Sequence, residues 1–227
     1  AWLAMTLLVL QPFFLQNLSY QFDALPMALA VSCAGLALAA GMRASLGKGV
    51  MLSVIGLFAS LCFYQAAVSV YFVLLAFHAL LSLATHGTLQ WRHHVGLLAA
   101  GAVTLLGYKL MSGWWLAGGY SLSHSQMAAP ATLPMHIFDN TLTFWRYAAR
   151  TLAGAPWWGL SATALIALIG LILGTLRPAQ AKRPLAWPWR LLLMVVILLL
   201  LPLGALGIMA ALEDPLWHPR TFIGFGA

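Results

Sequence analysis

From Gly49 to Leu83 the chain runs without a single Asp, Glu, Lys or Arg. A membrane-spanning helix needs about 20 mostly apolar residues, so this stretch is too long for one crossing and slightly short for two. Its most polar interior point is Tyr64-Gln65. We read two helices meeting there, about Val50–Phe63 and Ala66–Leu83. The first of them is short, which a bilayer accommodates by thinning or by an incomplete crossing.

Other apolar runs extend the pattern. Spans are expected over Ala1–Phe14, Ala24–Met42, Val95–Leu116, Trp157–Leu176 and Trp189–Leu212, with an eighth beginning near Phe222. Only 11 basic and 4 acidic residues serve 227 positions, 7% charged, where a soluble domain carries roughly a quarter. The mean hydropathy is +0.92. So little polarity excludes a soluble globular enzyme, a disordered chain and a nucleic-acid binder. The expected fold is all-α: a single polytopic transmembrane domain over residues 1–227, with about seven spans. The chain opens on Ala1 with neither a basic n-region nor a cleavage site, so its start is not a signal peptide. It closes on an apolar run, and is expected to be an internal fragment of a longer protein.

Basic residues set the orientation. Arg43 and Lys48 follow the second span. Arg92, with His86, His93 and His94, follows the fourth, and Arg177, Lys182, Arg183 and Arg190 follow the sixth. These loops fall on one side, expected to be cytoplasmic. All four acids, Asp23, Asp139, Glu213 and Asp214, fall on the other, together with Arg146, Arg150 and Arg220. The net charge of +7 is then mostly topology. Tryptophans gather at span ends, as an aromatic belt does. Cys33 and Cys62 lie in apolar stretches without a C-x-x-C spacing and read as small core hydrophobes.

Four segments bring polar groups to the outer face. In the first, Asn17 to Met27, Asp23 directly precedes a span with Pro26 in its first turn. That placement suits a helix cap, and equally a carboxylate facing an outer cavity. In the second, Tyr64 and Gln65 are structural, or face a cavity and bind a sugar or a lipid headgroup. The third is a long outer loop, 117–155. Its second half, His136 to Leu152, reads as an amphipathic helix lying in the outer interface. Asp139, Thr143, Arg146 and Arg150 share one stripe of it at about 100° per residue, with Phe144, Trp145, Ala148 and Leu152 broadly opposite. Two guanidinium groups one turn apart suit a phosphate, although Arg side chains also snorkel to headgroups. Lys109, near the outer end of the fifth span, carries the same two readings. His124 and His136 read as solvated or interfacial. In the fourth segment, Glu213 and Asp214 end the seventh span, where acids oppose the helix dipole. They form a plain polar turn, or they pair with Arg220 or a cation.

No motif of soluble chemistry occurs: there is no Walker loop, H-E-x-x-H or G-x-S-x-G. Three segments nevertheless form a series. Asn17-Leu18-Ser19-Tyr20-Gln21-Phe22-Asp23-Ala24-Leu25-Pro26-Met27, Tyr64-Gln65-Ala66-Ala67 and Pro219-Arg220-Thr221-Phe222-Ile223-Gly224-Phe225-Gly226 stand in this order between spans. In this the chain resembles the bacterial O-antigen glucosyltransferases, the type II serotype-converting Gtr membrane proteins.

The resemblance implies a GT-C-like inner-membrane enzyme. Such an enzyme takes glucose from undecaprenyl-phosphate-glucose and transfers it to a surface polysaccharide, the O-antigen of lipopolysaccharide, on the periplasmic side. Enzymes of this type carry a catalytic acid in their first outer loop, which this chain is expected to lack. Within the chain, Asp23 is the candidate acid. Arg146, Arg150, Lys109 and Arg220 are the candidates for the donor phosphate. Asn17, Tyr20, Tyr64, Gln65, Asp139, Glu213 and Asp214 are the candidates for sugar and acceptor. A divalent metal is left open, since no ligand spacing argues for one. The expected partners are the lipid donor, the polysaccharide acceptor and the bilayer, with no nucleic acid. A flippase or transporter of lipid-linked sugars is the alternative, and a non-catalytic membrane scaffold a further one.

Overall fold

A computed structural model describes residues 24–115, 126–152, 157–176, 184–215 and 217. Among them the regular elements are all helical. They are α1 (Ala24–Arg43), α2 (Leu46–Phe63), the 3-10 turn η1 (Gln65–Ala67), α3 (Val68–Thr85), α4 (Trp91–Trp115), α5 (Leu133–Leu152), α6 (Trp157–Leu176), α7 (Trp187–Leu206) and the 3-10 turn η2 (Gly207–Ala211).

Among the described residues, five segments are long and apolar enough to cross a membrane: Ala24–Arg43, Leu46–Phe63, Gln65–Thr85, Trp91–Met111 and Trp187–Ala211. α6 has the bounds of the expected sixth span, and its described side chains include the apolar stretch Leu165–Thr175. The expected first and eighth spans lie outside the described residues. Among the described residues, five of the expected spans are thus helices long and apolar enough to cross. The outward faces fit lipid as solvent: Ile55 is 59%, Leu106 61% and Leu199 73% exposed. Water would penalise such surfaces heavily.

Two helix starts differ from expectation. α2 begins at Leu46 and α4 at Trp91, so Lys48, Arg92, His93 and His94 sit in first turns, where they were expected in loops. Arg190 likewise lies inside α7. For Lys48 and Arg92, both exposed, the physical reason is that a charged residue at the end of a crossing can stay helical while its head reaches the interface; Arg190 is instead buried. α2 is consequently a full 18 residues, long enough to cross without thinning the bilayer. The split at Tyr64-Gln65 is where α2 gives way to η1: Tyr64 is extended, with φ −160° and ψ 112°. Of the two cysteines, Cys33 is half-buried and Cys62 exposed, so Cys62 does not belong to the core.

α3 is the central helix, far more buried than the other four crossings. Without a hydrophobic drive between helices in lipid, small residues and buried hydroxyls hold such bundles together. Both devices operate here. A Cβ placed on Gly49 would stand 2.5 Å from the Gly41 carbonyl oxygen, so α1 and α2 approach closer than any side chain permits. Ser53 Oγ donates to Ala37 O (3.1 Å) and Ser60 Oγ to Ala30 O (2.8 Å) across the same antiparallel pair.

α4 is tied to both neighbours. His93 Nε2 donates to Gly41 O (2.7 Å), and Tyr71 Oη of α3 donates to Leu97 O (2.9 Å). His94 Nδ1 faces Gln90 O at 3.0 Å, and a carbonyl only accepts. Its Nε2 therefore carries the lone pair that receives His78 Nδ1–H at 3.1 Å. The register Ser69–Gly207, Phe72–Gly204 shows that α7 runs antiparallel to α3.

Candidate functional site

Those candidates that fall among the described residues lie toward the end of the bundle where α2, α3, α4 and α7 meet η1 and η2. At η1, Gln65 Nε2 donates to Tyr108 Oη at 2.9 Å, linking the α2–α3 turn to the last turns of α4. Tyr108 stands edge-on to Phe58, with ring centroids 6.2 Å apart. Tyr64 and Gln65 are both half-buried.

α7 changes to η2 for a visible reason. Pro202 removes an N–H inside the helix, and Gly207 then takes φ +55°, which side-chain-bearing residues rarely adopt. Gly207 packs on the Ser69 backbone, where an added Cβ would meet Cβ of Ser69 at 3.3 Å. Beyond η2, residues 211–213 pair with 126–128. Ala128 N–H donates to Ala211 O (3.0 Å), Glu213 N–H to Gln126 O (2.9 Å), and Met127 bridges Leu212.

Asn140 of α5 locks this assembly. Its Nδ2 points at the carbonyls of Met209, Ala210 and Leu212, at 3.3, 3.1 and 2.9 Å. The last carbonyls of a helix have no partner of their own. One buried amide supplies donors to those of Ala210 and Leu212 and shares Met209 O with the Leu212 N–H. Beside it, Phe144 packs with Val73, Leu206, Met209 and Ala210. Asn140 was not among the sequence candidates, because its partners lie about 70 residues away along the chain. Tyr108 was missed for the same reason.

The expected helix in loop 117–155 is α5, starting three residues earlier than anticipated. It has three faces where two were expected. Asn140, Phe144 and Ala148 face the protein. Asp139, Thr143, Arg146 and Arg150 form the anticipated polar stripe, and all four are exposed. Trp145, expected to lie with Phe144, is instead 48% exposed, in line with Met135, Phe138 and Leu142. The reason is angular: at about 100° per residue, positions 138, 142 and 145 centre well over 90° away from 140, 144 and 148.

Among the remaining candidates, Lys109 is half-buried near the end of α4. Glu213 and Asp214 are exposed just after η2, not at the end of α7 itself. His136 is half-buried. Asn17, Tyr20, Asp23, His124 and Arg220 lie outside the described residues. Among those described, no three His, Cys, Asp or Glu side chains converge as metal ligands.

The arrangement is a membrane-embedded bundle with a polar cap at one end. Exposed guanidinium groups, carboxylates and half-buried hydroxyl and amide groups stand on that cap. No curated protein and no solved structure matches the chain. One family model matches it along residues 1–227, and on that match the chain belongs to the glucosyl transferase GtrII family.

Proposed function

We propose that this glucosyltransferase works at the capped end of the bundle. It takes glucose from undecaprenyl-phosphate-glucose and passes it to the O-antigen on the periplasmic side of the bacterial inner membrane. The observation that carries the reading is the sidedness of the polar groups. Tyr64, Gln65, Lys109, Asp139, Arg146, Arg150, Glu213 and Asp214 stand at the end opposite Arg43, Lys48 and Arg92. The positive-inside bias supports reading that capped end as the outer one.

The chemistry requires little else. The bond from glucose C1 to the phosphate oxygen breaks, and a bond from C1 to the acceptor hydroxyl oxygen forms. The hydroxyl proton passes to a carboxylate, for which Asp23 is the candidate in this chain. Charge grows on the departing phosphate. Arg146 and Arg150, with Lys109 and Arg220, are the cations proposed to stabilise it. Tyr64, Gln65, Asn17, Tyr20, Asp139, Glu213 and Asp214 offer hydrogen bonds to sugar hydroxyls. α5 is proposed to lie in the outer interface, which would hold its arginines at phosphate depth.

The test is the double variant Arg146→Gln/Arg150→Gln of the full-length enzyme, assayed with glucose-labelled polyprenyl phosphate. Transfer should fall by roughly a hundredfold or more at normal expression, the scale seen when a preorganised charge-stabilising donor is lost. Unchanged transfer would remove both arginines from the site. Release of one polyprenyl phosphate per glucose transferred separates this enzyme from a flippase, which moves its cargo intact.

A further inference from the structure

We propose that Arg190 holds the phosphate of an anionic membrane lipid whose chain lies in a groove between α4 and α7, at the end of the bundle away from Asn140. The proposal does not depend on where glucose is transferred.

The groove encloses about 480 Å³. α3 forms its floor through Phe72, Leu75 and Ala79, while Leu98 of α4 and Ile197 and Leu201 of α7 stand on its walls. It is lined by apolar side chains and glycines except for His94, at the same end as Leu89 and Ile197. At the other end it closes on Leu105, Gly204 and Gly207, with no polar side chain. An amphiphile seated here has one sensible direction, with its tail toward η2 and its head beyond His94.

Arg190 does not line the groove itself; it lies past the His94 end, two turns before Ile197 on α7. Arg190, Met194, Ile197, Leu201 and Gly204 follow spacings of 4, 3, 4 and 3, which is one face of α7. Ile197 is seven residues from Arg190, about 10 Å along the axis. Helical side chains lean toward the helix N-terminus, which carries the guanidinium outward past the end of the groove.

The group is only 7% exposed, and its Nε and Nη1 are buried without any hydrogen-bond partner. A guanidinium does not shed its charge. Buried and unpaired, it is costly, and a native protein compensates such a group. Met194 packs on Leu80, Leu83 and Ala84, and Leu185 N–H donates to Gly87 O at 2.9 Å. Arg190 therefore lies beside the last turn of α3, whose dipole offsets only part of a full charge. An anionic oxygen is the missing complement. Arg43, Lys48 and Arg92 are exposed at the same end and would draw acidic headgroups to it. The adjoining lip is lipid-facing, with Leu98 53% and Leu200 55% exposed, so a tail enters sideways from the bilayer.

The experiment is thermal unfolding of the purified full chain in nonionic detergent, with three additives: dioleoylphosphatidylglycerol, dioleoylglycerol and inorganic phosphate. The acidic lipid should raise the Tm by about 5 °C at a hundredfold excess over its Kd, and the other two should not. Arg190→Gln should lose that increment, and Arg190→Lys should keep part of it. A Tm rise of the same size from dioleoylglycerol would mean that the groove alone binds, and overturns the proposal. So does an equal rise with inorganic phosphate, or an increment preserved in R190Q. A purely structural arginine at the end of α3 would give that last result, with a lower Tm before any lipid is added. Should R190Q not fold, Leu98→Trp occludes the groove from its exposed lip without touching the core. An undiminished increment in L98W counts equally against the proposal.

Discussion

At the scale of single residues, the cap depends on one amide. Asn140 is 7% exposed and reaches three carbonyls around the end of η2, those of Met209, Ala210 and Leu212. Replacing it with Ala takes the side-chain donor from the Ala210 and Leu212 carbonyls in a buried place, while Met209 O keeps the Leu212 N–H. The expected loss is about 1–3 kcal/mol. For a chain of this size that lowers Tm by roughly 2–4 °C per kcal/mol. Thermal unfolding in detergent measures it. Asn140→Asp is the sharper variant, since a carboxylate accepts and cannot donate. It should be worse than Ala, because it sets charge against three carbonyl oxygens. If N140D is as stable as the wild type, the amide is not the lock described above.

At the scale of elements, the helices were legible and some of their starts were not. Hydropathy finds an apolar crossing because the bilayer demands one, and it found the α2–α3 break because Tyr64-Gln65 is the only polar pair within that run. It placed Lys48 and Arg92 in loops because it weighs charge and knows nothing of how far a side chain reaches. The face of α5 that packs on the protein was hidden for a different reason. Asn140 is polar, so periodicity alone cannot assign it inward; only its distant carbonyl partners do.

The third face of α5 yields a prediction of its own. Met135, Phe138, Leu142 and Trp145 form an exposed apolar stripe beside the polar one. A helix with such a stripe lies in the interface with that side toward the acyl chains. In a Cys33→Ser/Cys62→Ser background, an environment-sensitive fluorophore on Phe138→Cys should emit to the blue of the same fluorophore on Arg146→Cys, in vesicles. Equal emission at the two positions would lift α5 off the membrane. It would also remove the argument that its arginines sit at phosphate depth.

At the scale of the whole molecule, the alternation of antiparallel crossings sorts charge before any ligand binds. α1 and α3 run toward one end; α2, α4 and α7 run back from it. That geometry alone puts Arg43, Lys48, Arg92 and Arg190 together, and Gln65, Tyr108, Glu213 and Asp214 at the far end. The two ends suit different partners. The basic end is proposed to meet acidic headgroups, and the capped end the sugar and its leaving phosphate. Which end faces outward is a separate matter, resting on the positive-inside bias. Single cysteines decide it, again in the Cys33→Ser/Cys62→Ser background. An impermeant maleimide applied to intact spheroplasts should label Gln126→Cys and spare Arg92→Cys, with both labelled after permeabilisation. Gln126 and Arg92 are both exposed, so accessibility is not limited by packing. The reverse pattern would turn the cap toward the cytoplasm, away from a polysaccharide acceptor assembled outside. A lipid-linked donor would then have no evident advantage, because soluble activated sugars are made on that side. The proposed donor and the orientation therefore stand or fall on one labelling experiment.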